Sequence, residues 1–140
     1  MAELNLVEKV IALEGVDLLE HLSPDQLARI AMIASEVRFP PNRALLEGAR
    51  SDALYVVVDG SVELSQHGEP LEAAGQNAVL GVWSLFDESD SAPLTARTLE
   101  DTRLLRIGRD DFYDLLADNS EMTSAIFSTL VQRFRKLVEQ

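Results

Sequence analysis

The stretch Asp52-Ala53-Leu54-Tyr55-Val56-Val57-Val58-Asp59-Gly60-Ser61-Val62-Glu63-Leu64-Ser65 decides the fold. Residues Ala53 to Val58 form an apolar, valine-rich run that reads as a strand. It runs into Asp59-Gly60, a pair that predicts a hairpin turn because glycine accepts the positive φ such turns need. Val62 to Ser65 then alternates apolar and polar, as a half-buried strand does, and meets the turn residues His67-Gly68-Glu69-Pro70.

The same grammar extends to both sides. Leu45-Leu46 ends at Glu47-Gly48, and Leu71 to Ala73, Ala78 to Leu80, Leu94 to Leu99 and Arg103 to Ile107 are further short runs between turns. With Glu36-Val37-Arg38-Phe39, which Pro40-Pro41-Asn42 must turn, they predict about eight strands at the spacing of a β-sandwich or roll. Val82 to Phe86, following Gly81, reads better as one helical turn. Helical periodicity occupies the flanks. Leu4 to Leu13 carries apolar residues near the 3.6-residue period. Ser23-Pro24-Asp25-Gln26 is a strong helix start, with Leu27, Ile30, Ala31 and Ala34 on one face. Asp110 to Leu116 opens with acids, which suit a helix N-terminus. Asn119 is placed to cap a last helix, Ser120 to about Val138, with the stripe Met122, Ile126, Leu130, Phe134 and Leu137. Whether that stripe faces a core or a second copy is left open by the period alone.

The expected architecture is therefore α+β, mainly β. Helices at 1–35, a roll at 36–107 and helices at 108–140 make one domain, in keeping with a length of 140 residues. Twelve Lys plus Arg against 24 Asp plus Glu give a net charge of −12, which argues against a nucleic-acid backbone as partner. The absence of cysteine excludes disulfides, thiolate zinc sites and cysteine nucleophiles. His21 and His67 are the two histidines and sit in no metal-ligand spacing, so a histidine-rich metal centre is excluded. Both read as solvated or locally bonded residues. The acids Asp87, Glu88 and Asp90 lack the glycine and distant glutamate of a calcium loop and read as a solvated loop. No convergent acid, base or metal set suggests catalysis. The N-terminus lacks a signal-peptide pattern, and Ala73 to Phe86 is too short to span a bilayer. The expectation is a non-enzymatic cytoplasmic domain without a membrane segment.

Several of these stretches together resemble the cyclic-nucleotide-binding domain family. They are Leu45-Leu46-Glu47-Gly48, Asp52 to Val62, Ala74-Gly75, Val79-Leu80-Gly81, Leu99 to Ile107 and the Asp111-Phe112 helix start. The resemblance covers about residues 13 to 138. It implies a jelly-roll-like β-roll flanked by N-terminal helices and a C-terminal hinge helix. It also implies a cyclic AMP or cyclic GMP effector whose phosphate sits on a short helical cassette. In the family that cassette reads Phe-Gly-Glu-(Leu or Met)-Ala, a short loop, then Pro-Arg-Ser or Thr-Ala. Its glutamate takes the ribose 2′-hydroxyl and its arginine the cyclic phosphate. Regulators of the cyclic AMP receptor protein type carry a DNA-binding helix-turn-helix after the hinge helix. The sequence ends at Gln140, so that activity is not expected of it unless it is a fragment of a longer protein.

In this sequence the cassette reads Leu80-Gly81-Val82-Trp83-Ser84-Leu85-Phe86-Asp87-Glu88-Ser89-Asp90-Ser91-Ala92-Pro93-Leu94-Thr95-Ala96. The family's glutamate falls on Val82, its arginine on Ala92 and the next residue on Pro93, with a loop one residue longer. No Lys or Arg occurs between Arg50 and Arg97, whereas that interval holds Asp52, Asp59, Glu63, Glu69, Glu72, Asp87, Glu88 and Asp90. Losing a buried charge-assisted contact costs about 2–5 kcal/mol. At about 1.4 kcal/mol per decade, a micromolar ligand would weaken to tens of micromolar or millimolar. The candidate ligand positions are Gly81, Val82, Trp83, Ser84, Ala92, Pro93 and Leu94. Val82 and Trp83 either line a remodelled pocket for a less charged small ligand or plug the old one. Arg97, the nearest cation in sequence, is expected at an exposed mid-strand position. The remaining partner expectations are a small-molecule effector, a protein partner or further domains, and a homodimer through the last helix.

Overall fold

A computed structural model describes residues 3–49, 52–66, 68–82 and 94–139. Strands are β1 Ala34–Phe39, β2 Ala44–Ala49, β3 Ala53–Asp59, β4 Val62–Gln66, β5 Glu69–Ala74, β6 Val79–Leu80, β7 Leu94–Thr98 and β8 Thr102–Gly108. Helices are α1 Leu6–Glu14, α2 Pro24–Ile33, α3 Arg109–Asp118 and α4 Ser120–Val138, with a 3-10 turn at Asp17–Leu19. The chain divides into two compact units, Met1–Ile33 with Asp110–Gln140, and Ala34–Arg109.

The unit Ala34–Arg109 consists of two antiparallel four-stranded sheets, ordered β1-β8-β3-β6 and β2-β7-β4-β5. This is the mainly β roll that the turn spacing predicts. Valine and leucine from both sheets meet between them: Val57, Val62, Leu80, Ala96 and Leu104 are buried, with Val37, Phe39, Tyr55 and Leu64 packed against them. At about 25 cal/mol per Å² of apolar surface, this shared face is the main source of the roll's stability. The hairpin expected at Asp59-Gly60 is corrected. β3 and β4 lie in different sheets, so Gly60 is a corner at which the chain crosses between layers. Ser61 is held beyond it, its carbonyl accepting from Leu99 N at 3.0 Å and from Thr102 Oγ1 at 3.2 Å. The hairpin joins β4 to β5 instead, where Gln66 pairs with Glu69.

In the helical unit, caps set the boundaries. Asn5 accepts from Glu8 N at 2.8 Å while Glu8 Oε1 accepts from Asn5 N at 3.1 Å, so α1 begins at Leu6 and not at Leu4. Ser23 and Gln26 form the reciprocal pair that starts α2. Ala34, expected on the α2 face, opens β1. Leu13, Leu18, Leu19, Leu22, Leu27, Ile30, Phe112, Met122 and Ile126 are buried. Phe112 is 1% exposed. Truncating a buried phenylalanine costs about 3–5 kcal/mol. Phe112→Ala is accordingly expected to lower the urea midpoint with an unchanged slope, and a loss below about 1 kcal/mol would contradict this packing.

The α4 stripe divides in two. Met122 and Ile126 are buried, whereas Phe134 and Leu137 are exposed, so the stripe as a whole is neither core-facing nor free. Among the described residues, no helix is long and apolar enough to cross a membrane.

Candidate functional site

The cassette is delivered by a short, firmly held strand. β6 pairs with β3 through Tyr55↔Leu80 and Val56↔Val79. The turn before it is tied to the same strand, with Val57 N donating to Ala78 O and Asn77 N donating to Val57 O, each at 2.9 Å. Asn77 takes a left-handed φ of 73°. Asparagine tolerates that region better than most residues. Gly81 follows with φ 88°, and the chain turns helical at Val82. Glycine adopts such a conformation at no steric cost.

Of the candidate positions, Gly81 and Val82 lie at the end of β6, both partly buried, and Leu94 lies at the start of β7. In backbone register Leu94 faces Gln66 on one side and Ala49 on the other. Trp83, Ser84, Ala92 and Pro93 lie outside the described residues, as do the acids Asp87, Glu88 and Asp90, His67 and most of the expected turn Val82 to Phe86. The two ends of the cassette thus belong to different sheets of one roll.

The roll interior between those ends is apolar and self-satisfied. Among the described residues, Thr98 and Thr102 are its buried polar side chains. Thr98 Oγ1 donates to Pro40 O at 2.6 Å and accepts from Arg43 N at 2.8 Å, and Thr102 Oγ1 donates to Glu100 O at 2.9 Å. Among the described residues, no buried side-chain nitrogen or oxygen lacks a partner. No buried side-chain polar atom among the described residues is left waiting for a ligand, which matters because an unmet polar group is costly to bury.

Several cations of the roll are engaged elsewhere. Arg38 Nε lies 2.6 Å from Glu36, and Arg103 sends Nε and Nη2 to one oxygen of Asp59, at 3.1 and 2.7 Å. Arg106 lies 3.3 Å from Asp52. Burial opposes its charge, but hydrogen bonds and attraction from Tyr55 and Asp52 outweigh this and raise its pKa. Arg97 is mid-strand as expected but half-buried instead of exposed. Its Nη1 donates to Asn42 O at 3.1 Å, in a turn where Asn42 has φ 61°. The Pro-Pro-Asn turn signals the bend at Asn42, but nothing local indicates that its carbonyl receives Arg97. His21, read as locally bonded, has Nε2 at 3.2 Å from Gln132 Oε1 and at 3.5 Å from Glu20.

Residues 36–119 match the family model described as the cyclic nucleotide-binding domain. The chain is 31% identical over 107 residues to the cAMP-dependent protein kinase regulatory subunit of Emericella nidulans. That match takes in 74% of this chain and 26% of the relative, so the chain spans about a quarter of that relative's length. Among solved structures, the N-terminal domain of a transcriptional regulator from Streptomyces coelicolor A3(2) superposes with a TM-score of 0.80 at 28% identity. Coverage there is 91% of this chain and 93% of the other. A cyclic nucleotide-binding-like protein from Brucella abortus gives a TM-score of 0.65 at 27% identity, covering 78% and 97%.

Proposed function

The chain belongs to the cyclic nucleotide-binding domain family, and on that premise we propose that it is a non-catalytic regulatory domain whose cassette has lost its hold on a cyclic phosphate. The observation that carries the proposal is the charge of the cassette. Val82 stands where the family has its ribose-binding glutamate, Ala92 where it has its phosphate-binding arginine, and no Lys or Arg lies between Arg50 and Arg97. Backbone N–H groups at a helix start favour an anion, yet Asp87, Glu88 and Asp90 within the cassette stretch oppose it. The signal is then an altered, less charged ligand or a protein partner, with α4 as the element that moves.

Thermal unfolding with about 1 mM cyclic AMP or cyclic GMP tests this. A ligand at a thousand times its Kd stabilises by about 4 kcal/mol, while one near its Kd adds about 0.4 kcal/mol. The expected result is a Tm shift below about 8 °C for both nucleotides, as a Kd of tens of micromolar or weaker gives. A shift of about 11 °C or more, as a Kd at or below about 10 µM gives, overturns the proposal.

A second reading, as a self-associating interaction module, is favoured by the outward face of α4. Phe127, Val131, Phe134 and Val138 are 66%, 40%, 67% and 65% exposed. Their spacing is that of a two-stranded coiled-coil seam. Under this reading sedimentation equilibrium shows a concentration-dependent dimer that Phe134→Asp abolishes. A wild-type monomer throughout the micromolar range removes it.

A further inference from the structure

Two asparagines stand at helix N-caps, and one of them caps. Asn5, at φ −84° and ψ 177°, is extended, and its side chain accepts from Glu8 N at 2.8 Å. That is the backbone and the bond of a capping residue. Asn119 precedes α4 with φ −137° and ψ 79°, and its side chain makes no capping bond. Its oxygen accepts from Nη1 of Arg29 on α2, and its Nδ2 donates to Leu115 O in the last turn of α3 at 2.8 Å. Thr123 Oγ1 donates to Leu116 O at 3.0 Å and holds the same turn from the α4 side.

The Asn119 oxygen therefore has two uses. It can accept from Arg29, the bond it makes in this structure, or from a first-turn amide of α4, as Asn5 does for α1. Bound to Arg29, Asn119 has ψ 79°, whereas the capping Asn5 has ψ 177°, so passage from the first use to the second turns that bond and re-aims α4 against α3. We propose that Asn119 is a two-position latch at the α3–α4 joint, closed by Arg29 and opened when its side chain turns to cap α4. The helix it governs is packed at its start, through buried Met122, Ile126 and Thr129, and exposed from Val131 onward. Weak ties hold the exposed half to the turn ahead of α2: Arg133 to Asp17 at 3.7 Å and Gln132 to His21 at 3.2 Å. A small rotation at the joint is thus magnified at the far end. The latch is independent of which ligand, if any, the roll takes.

A chain without cysteine accepts site-specific spin labels directly. Labels at Asp25→Cys and Lys136→Cys, both at exposed residues, report the angle of α4 against α2 in the full 140-residue chain. The expected distance distribution has one population in the wild type and in Asn119→Asp, whose carboxylate still pairs with Arg29. Arg29→Ala is expected to add a second, displaced population and to slow amide exchange at Glu121 about fivefold as the cap forms. Asn119→Ala removes the slowing in the Arg29→Ala background. An unchanged distribution in Arg29→Ala, or exchange at Glu121 that quickens in it, overturns the latch.

Discussion

Gly60→Ala is expected to destabilise the protein by about 3–5 kcal/mol, lowering Tm by about 10 °C or more. Two independent effects add at this position. Gly60 has φ +99°. Any other residue is strained there by about 1–3 kcal/mol. A Cβ built on Gly60 would also lie 2.6 Å from Asp101 O and 2.7 Å from Thr102 Cα, which are backbone atoms unable to swing aside. Retreat is blocked because Ser61 O is fastened by Leu99 and Thr102 as the chain passes from β3 into the second sheet. Gly68, at φ +79° with open space around it, supplies the control for strain alone. Gly68→Ala is therefore expected to cost about 1 kcal/mol. Gly75 meets neither obstacle. Gly75→Ala is expected to stay within about 0.5 kcal/mol of wild type. Chemical denaturation of the three variants would show this ranking, and equal costs at Gly60 and Gly68 would contradict the corner geometry.

Under the proposed function, placing the family's charged residues at Val82 and Ala92 is expected to raise nucleotide affinity. In Val82→Glu/Ala92→Arg a carboxylate returns for the ribose and a guanidinium for the cyclic phosphate. A buried charge-assisted pair contributes about 2–5 kcal/mol, which corresponds to an affinity for cyclic AMP at least about 30-fold above wild type. The cassette loop is one residue longer than the family pattern, so Ser91→Arg and Pro93→Arg belong in the same series. The arginine variant in register should give the large gain and its neighbours little. Val82→Glu alone adds one more carboxylate to an acidic interval and is expected to bind no better than wild type. If none of the three arginine variants gains affinity, missing charge is not what weakens the site.

How much of this is legible in the sequence depends on whether the signal is local. The strand spacing between residues 36 and 107 and the Ser23–Gln26 cap depend on nearest neighbours, and both are readable. Asn5–Glu8 obeys the same capping rule, although the apolar residue Leu4 suggests an earlier start. Asp59-Gly60 marks a reversal of the chain, but a turn signal carries no information on whether the flanking strands pair or part into two sheets. The stripe on α4 is visible in the period. Its division into a buried start and an exposed end depends on which neighbours reach it, and periodicity is blind to that. Asn119 shows the same conflict most sharply: local propensity assigns it a cap, and a guanidinium 90 residues away in sequence claims its oxygen instead. The departures at Val82, Ala92 and Pro93 are legible as residue types. The packing of Trp83 is not, because whether a side chain lines or fills a cavity is decided by its rotamer and its neighbours.

Isothermal titration of the wild-type chain with cyclic AMP, repeated with cyclic GMP, tests the central claim most directly. On the proposed loss of the phosphate-binding charge, neither nucleotide gives an isotherm with a Kd below about 30 µM. A one-to-one isotherm with Kd at or below about 10 µM requires a phosphate partner that the cassette lacks, and would contradict the account.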